Sequence, residues 1–200
     1  MGRPSVKTQL VDRTFTVFLS QGYEGASVND LVAAAGVPKG SFYNHFPSKE
    51  ALAIEHVRRY IAALELDALA DDPAPPLTAL RTHFERRIAD RAATGLENGC
   101  LLGNFSTGVP NGCVDLRTEV QLGFSLWEHS IAEVLRRAQA QHQLVAGASP
   151  ADLAAFVIGS FEGAIALSKV TRRVDHVADF MKTIFDLLLP RLTMLGKDGS

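Results

Sequence analysis

The sequence is short of several things, and each shortage narrows the reading. Only two of its 200 residues are cysteine, Cys100 and Cys113. That is too few for a disulfide framework and fits a reducing compartment. Neither sign of charge prevails: 20 Lys and Arg stand against 22 Asp and Glu, a net charge of −2. A histone-like or polybasic binder is thereby excluded. The opening Met-Gly-Arg-Pro lacks the basic-then-apolar pattern of a secretion signal, so a cytoplasmic protein is expected. There are no internal repeats, no low-complexity tract and no sustained period-two alternation, so no strands are expected.

Recognisable catalytic chemistry is missing too. The six histidines fall into no metal-ligand spacing, and His129 with Glu133, four residues on, is a weak pair. There is no phosphate loop and no GxSxG. No cofactor, no metal and no enzymatic activity are therefore expected. One long apolar run, Leu153–Val170, raises the question of a membrane. Glu162 and Lys169 interrupt it and a capped helix start precedes it, so it reads as a buried helix of a soluble protein, with no membrane partner.

What is present is a chain able to bury a core: 46% of residues are hydrophobic and the mean hydropathy is +0.07. Residues 1–60 hold seven Lys and Arg against five Asp and Glu, while the remainder holds 13 against 17. The positive end is the N-terminal one. Helical periodicity runs throughout and predicts an all-α fold of about nine helices. Val11, Phe15, Phe18 and Leu19 share one face of a first helix that Gly22 stops. Ser27 and Asp30 make a capping-box pattern for a second helix, with Val28, Leu31, Val32 and Ala35 on its apolar side. Gly36 allows a sharp turn, and Pro38 opens a short third helix to about His45. A fourth helix, capped by Ser48, is expected to continue to about Ala70. Asp71–Pro76 is a loop, and further helices are expected over Leu77–Thr94, Asp115–Gln143, Pro150–Arg173 and Asp175–Met194, with a helical or irregular stretch from Cys100 to Pro110.

Two short helices joined by a glycine turn are the minimum for a helix-turn-helix. In the second of them Phe42 and Phe46 can anchor inward. That leaves Lys39, Ser41, Tyr43, Asn44 and His45 for a partner, side chains of the kind that meet phosphates and base edges. Gly40 inside a helix costs about 1 kcal/mol against Ala, which a close approach of backbone to phosphate would justify. A short polar surface helix in an all-helical core remains the plainer alternative.

The segments Ser27-Val28-Asn29-Asp30-Leu31, Ala35 through Phe46, and Ser48-Lys49-Glu50-Ala51-Leu52 closely resemble the TetR family of bacterial repressors, over roughly residues 5–55. The resemblance implies a three-helix DNA-binding domain over residues 1–47, a helical ligand-binding and dimerisation domain over 48–195, and a disordered tail over 196–200. It implies that Ser27 caps the second helix and touches phosphate. Lys39, Ser41 and Asn44 would face the groove, Gly40 would permit close approach, and Tyr43, His45 and Lys49 would hold the phosphate backbone. Arg3 either reaches an adjacent minor groove or belongs to a charged tail. Pro38 stands where many members carry a capping Ser or Thr, so no side-chain cap is assigned there. The implied function is a ligand-responsive transcriptional repressor. It would bind a near-palindromic double-stranded operator as a homodimer and be released by a small-molecule effector. The alternative is a helical small-molecule binder or enzyme whose N-terminal helices are scaffold.

The signal rests on fewer residues. Asn98-Gly99-Cys100-Leu101-Leu102-Gly103-Asn104 resembles a stretch in the branch of that family that includes repressors of electrophile-detoxifying and acrylate-metabolising genes. Cys100 at a helix entrance can be a reactive thiol that senses an electrophile or oxidant, or a small core residue. Lys169 and Glu162 lie on one face of an otherwise apolar helix. They either belong to an effector site with Cys100 or form an ion pair at the dimer interface. Trp127 and Phe105 are further candidates for lining an effector pocket, with core filling as the alternative. Cys113, in a turn, reads as structural.

Overall fold

The computed structural model describes residues 5–145 and 147–194. The expectations for Arg3 and for the tail 196–200 fall outside them. All regular structure among the described residues is helical. In chain order the helices are α1 (Val6–Gly25), α2 (Val28–Ala35), α3 (Lys39–Tyr43), α4 (Lys49–Ala63), α5 (Leu66–Ala70), α6 (Pro76–Thr94), α7 (Leu101–Gly108), α8 (Val114–Ala140) and α9 (Pro150–Thr171). The last, α10, comprises Asp175–Met181, a π-helical stretch Lys182–Leu188 and Leu189–Met194. The expected fourth helix does not reach Ala70 in one piece. Glu65 takes a left-handed conformation at φ 53°, which ends the hydrogen-bond ladder and starts the single turn α5. With that turn counted as part of the fourth helix, the described residues form nine helices besides the short 3-10 turn Leu96–Asn98.

The chain gathers into two compact units. One comprises the described residues up to Ala63 with Asn98–Phe124; the other comprises Leu64–Glu97 with the described residues from Ser125 onward. The first unit thus runs past α3 to the end of α4 and takes in α7 and the start of α8.

In the first unit the helix ends are fixed by local chemistry. Ser5 caps α1 by accepting the Thr8 N–H at 3.1 Å. Gly22, at φ 71° and ψ −176°, breaks the helical path inside α1. Only glycine adopts that conformation readily. Its Cβ position is otherwise empty, so backbone conformation alone demands the glycine. The break leaves carbonyls without helical partners, and side chains from elsewhere supply them. Asn104 Nδ2 donates to the Leu19 carbonyl at 2.8 Å and to Asn98 at 2.7 Å. Lys49 Nζ donates to the carbonyls of Tyr23 at 2.7 Å and Ala26 at 3.0 Å. The core between these helices holds Leu10, Phe18, Leu31, Phe42, Leu52 and Phe105, all fully buried. Phe105 meets Phe18 edge to face at 5.7 Å.

The second unit is built on aromatics. Phe84 on α6 contacts Trp127 on α8, Phe161 on α9, and Phe180 on α10 at centroid distances of 6.1, 5.0 and 5.2 Å. Ser149 caps α9 through the Asp152 N–H, and Pro150 occupies its first turn. By length and composition α9 could cross a membrane. In the fold one face, including Val157, Phe161 and Ile165, is buried. The opposite face leaves Phe156, Leu167 and Val170 exposed.

Candidate nucleic-acid interface and sensor residues

The interface begins with the α2 cap. Ser27 Oγ accepts the Asp30 N–H at 3.2 Å, and Asp30 Oδ2 accepts the Ser27 N–H at 3.0 Å. This is the reciprocal box expected from the sequence. Hydrogen bonds from the Ser27 side chain and backbone hold the Asp30 carboxyl below its ordinary value. The Ser27 hydroxyl also donates to Asp30 Oδ2 at 2.5 Å, so its proton is committed within the box. Gly36 closes α2 in the left-handed region at φ 67°. Its N–H and that of Val37 return to the carbonyls of Ala33 and Val32, each at 3.1 Å. The turn therefore has a fixed angle.

Pro38 precedes α3 as its capping residue and contributes no side-chain hydrogen bond. The helix is one turn long, too short to persist alone. Phe42 and Phe46, both buried with ring centroids 6.1 Å apart, pin it to the unit. The opposite face is exposed: Lys39, Gly40, Tyr43, Asn44 and His45 are open to solvent and Ser41 is half-exposed. Tyr43 is 51% exposed, although an aromatic of that size ordinarily finds cover. A Cβ at Gly40 would meet nothing within 4 Å, and its φ is not in the positive range that calls for glycine. The chain's own packing therefore gives no reason for this glycine.

Lys49 differs from the other expected contacts. Its ammonium is half-buried, holds two carbonyls at the end of α1, and lies 4.3 Å from the centre of the Tyr23 ring. Burial keeps it below the ordinary lysine value. Its geometry is that of a clasp between α4 and α1. Lys7, which sequence reasoning passed over, is exposed, with its Nζ 5.8 Å from the Phe46 ring centre. Only the fold reveals that the first turn of α1 lies beside the end of α3.

The expected effector residues are divided between the units. Cys100 and Phe105 belong to the first; Trp127, Glu162 and Lys169 belong to the second. Cys100 is 2% exposed and stands at the cap position of α7. Its Sγ lies 3.1 Å from the Tyr60 hydroxyl on α4. Phe105 packs among Phe18 and Tyr23 in the core. Trp127 is fully buried and donates its indole N–H to His83 Nε2 at 2.9 Å. Glu162 and Lys169 are each half-buried on α9. Cys113 is partly exposed, with its thiol 3.4 Å from the Tyr23 hydroxyl. Burial first, then the Cys113 contact, raises the Tyr23 phenol above its ordinary value. Among the described residues no three His, Cys, Asp or Glu side chains gather as a metal site would require.

A short polar helix held outward by two buried aromatics, after a capped helix and a left-handed glycine turn, defines a helix-turn-helix protein with a helical C-terminal body. The chain belongs to the TetR family of bacterial transcriptional regulators. Residues 10–55 match the model described as "Bacterial regulatory proteins, tetR family". Residues 76–184 match "Tetracyclin repressor-like, C-terminal domain". The HTH-type transcriptional repressor DhaR of Mycobacterium sp. strain GP1 is 35% identical over 202 residues, covering 100% of both chains. The transcriptional regulator AcuR of Cereibacter sphaeroides is 35% identical over 167 residues, 82% of this chain and 76% of its own. The crystal structure of a regulatory protein TetR from Rhodobacter sphaeroides superposes with a TM-score of 0.81 at 30% identity, covering 91% of this chain and 98% of that one.

Proposed function

We propose that this regulator is a cytoplasmic homodimeric repressor that holds a near-palindromic operator and lets go when a small effector is sensed. It has no enzymatic role and no membrane partner. The observation that carries the DNA half is the outward face of α3. There, hydrogen-bonding side chains are exposed although the helix itself is anchored by Phe42 and Phe46. Lys39, Ser41 and Asn44 meet base edges and nearby phosphate, Gly40 admits the backbone closely, and Tyr43 and His45 hold phosphate. Ser27 acts through the backbone N–H groups that its capping box orients, because its hydroxyl proton is engaged by Asp30. Lys49 acts as the clasp that fixes α1 against α4.

One recognition helix of this length binds weakly, and two copies are needed. The exposed apolar face of α9, with Phe156, Leu167 and Val170, supports a seam between two copies. A groove of about 380 Å³ between α9 and α10 continues that face. Residues 1–47 then serve as the DNA-binding domain and 48–195 as the effector-binding and dimerisation domain.

The sensing half centres on Cys100. Its thiol touches Tyr60 of α4, and Asn104, one turn further along α7, holds the end of α1. A change at Cys100 therefore has a short mechanical route to the helices that carry α3. Two modes fit: covalent reaction of the thiol with an electrophile or oxidant, or reversible binding of an effector. The near-complete burial of Cys100 favours the second for bulky reagents. A mobility-shift assay on DNA upstream of the regulator's own and neighbouring genes tests the whole reading. It predicts a sequence-selective, salt-sensitive shift at submicromolar protein. Electrophiles added to the complex should release wild type and fail to release Cys100→Ser. Unchanged release of the mutant would leave reversible binding as the mode.

A further inference from the structure

Most cations of the first unit are engaged within it. Arg13 donates to the Ala35 carbonyl at 3.5 Å, and Lys49 holds the carbonyls of Tyr23 and Ala26. Arg58 pairs with Glu119 at 2.9 Å, and Arg59 with Asp12 at 3.1 Å. Arg117 donates to Asn111 Oδ1 at 2.9 Å. Among the described residues of that unit, Lys7 and Lys39 are the cations with neither an ion pair nor a side-chain hydrogen bond. Both are exposed.

Their positions are related. Lys39 is the first residue of α3. Lys7 Nζ lies 5.8 Å from the centre of the Phe46 ring, and the Phe46 N–H returns to the Phe42 carbonyl at 2.9 Å, in the turn that finishes α3. The two uncommitted ammonium groups therefore stand at opposite ends of α3. The Phe46 ring is 4% exposed and held in the core. It fixes where the lysine stem lies without neutralising the charge, because a cation–ring contact at an exposed site is weak. The first turn of α1 holds no acidic residue that could do so. Solvation explains an exposed lysine anywhere on the surface. It does not explain why the uncommitted pair brackets α3.

A phosphate backbone does. The five residues of α3 span about 7.5 Å, against a major groove about 12 Å wide. Seated in the groove, a helix so short keeps both its ends close to the phosphates that flank it. We propose that Lys7 is a phosphate-binding residue, its ammonium meeting the DNA backbone beside the end of α3 opposite Lys39. This rests on the reading of α3 as the recognition helix and adds to it a contact from α1. The lysine acts as a point charge. It supplies affinity and fixes the seat of α3, and it carries no sequence preference.

The test is a set of anisotropy titrations of the full-length protein at several salt concentrations. The probes are a duplex from upstream of the regulator's gene and an unrelated duplex. Lys7→Met keeps a stem on the Phe46 ring and removes the charge, so it should melt at the wild-type temperature. It is expected to weaken binding to both duplexes by the same factor and to leave their ratio unchanged. Its salt slope should be shallower by about 0.9 for each copy on the DNA. Lys7→Arg, which keeps the charge, should recover the wild-type slope. An unchanged slope in Lys7→Met would overturn the proposal, and so would failure of Lys7→Arg to recover it. Lost selectivity with a lower melting temperature in Lys7→Met would also overturn it, since that marks a merely structural contact with Phe46. Wild type that binds neither duplex selectively would overturn the reading of α3 and this contact with it. Selective wild-type binding with an equal slope in Lys7→Met would overturn the Lys7 contact alone.

Discussion

The two units differ in the charge they bury and in the faces they expose. The first has an apolar interior of Leu10, Phe18, Phe42 and Phe105 and an outward polar helix bearing Lys39, Tyr43 and Asn44. The second buries Arg87, Arg91 and His83 among aromatics, and exposes Phe156, Leu167 and Val170. A polar face turned outward meets a hydrated, charged partner such as DNA. An apolar face turned outward is suited to another apolar face. The contrast suits the two units to different partners, as the proposed function requires.

The contrast can be broken at several points. Phe42→Ala removes the main anchor of α3, and a buried Phe-to-Ala change costs about 3–5 kcal/mol. Thermal melting should show the loss, and the DNA shift should vanish with it. Acid offers a test that reaches both units, because each holds one buried neutral histidine. His56 accepts or donates at 2.8 Å to Thr14 Oγ and is depressed to about 4, mainly by burial; His83 is depressed to about 3. In the unfolded chain both take up a proton below about 6.5. Their contribution is therefore complete above pH 6.5 and is lost as pH falls toward 4 and then 3. The loss is about 3 kcal/mol for His56 and about 5 kcal/mol for His83. Denaturant titrations at stepped pH should show it, and His56→Gln should remove the part that ends near pH 4. A flat profile from neutrality to pH 4 would contradict the neutral burial of both rings.

Smaller changes sharpen the comparison. Gly22→Ala forces a Cβ into a glycine-only conformation with open space around it, so its cost is backbone strain of about 2 kcal/mol. The melting temperature should fall with no sign of repacking. Leu167→Asp lies on the exposed face of α9 and should barely move the stability of one chain, within about 0.5 kcal/mol. It should convert dimer to monomer in sedimentation and weaken operator binding by more than about tenfold. Retention of a dimer would remove α9 from the seam.

The parts of this account that were legible in the sequence are those governed by local rules. The box at Ser27 and Asp30, the glycine turn at Gly36, the uncapped start at Pro38 and the inward pair Phe42 and Phe46 follow from short-range chemistry. Features joining distant residues were not legible. Nothing near Lys49 in the sequence announces that the Gly22 break strands the carbonyls of Tyr23 and Ala26. Nor does the sequence show that Asn104 holds Leu19. The break at Glu65 was missed because a left-handed glutamate carries no compositional mark. In α6, nothing in the sequence marks His83, Arg87 and Arg91 as buried. Helical spacing puts them on one side, but only the packing of Trp127 and Phe161 against that side reveals that it points inward.

The central claim is that the outward face of α3 holds DNA. The direct measurement is fluorescence-anisotropy titration of DNA from upstream of the regulator's gene, at two salt concentrations, with wild type and a Lys39→Ala, Asn44→Ala double variant. Wild type should bind one segment selectively and weaken steeply with salt. The double variant should melt at the wild-type temperature, lose selectivity, and show a salt slope shallower by about one. Equal selectivity and an equal salt slope in the two proteins would contradict the account.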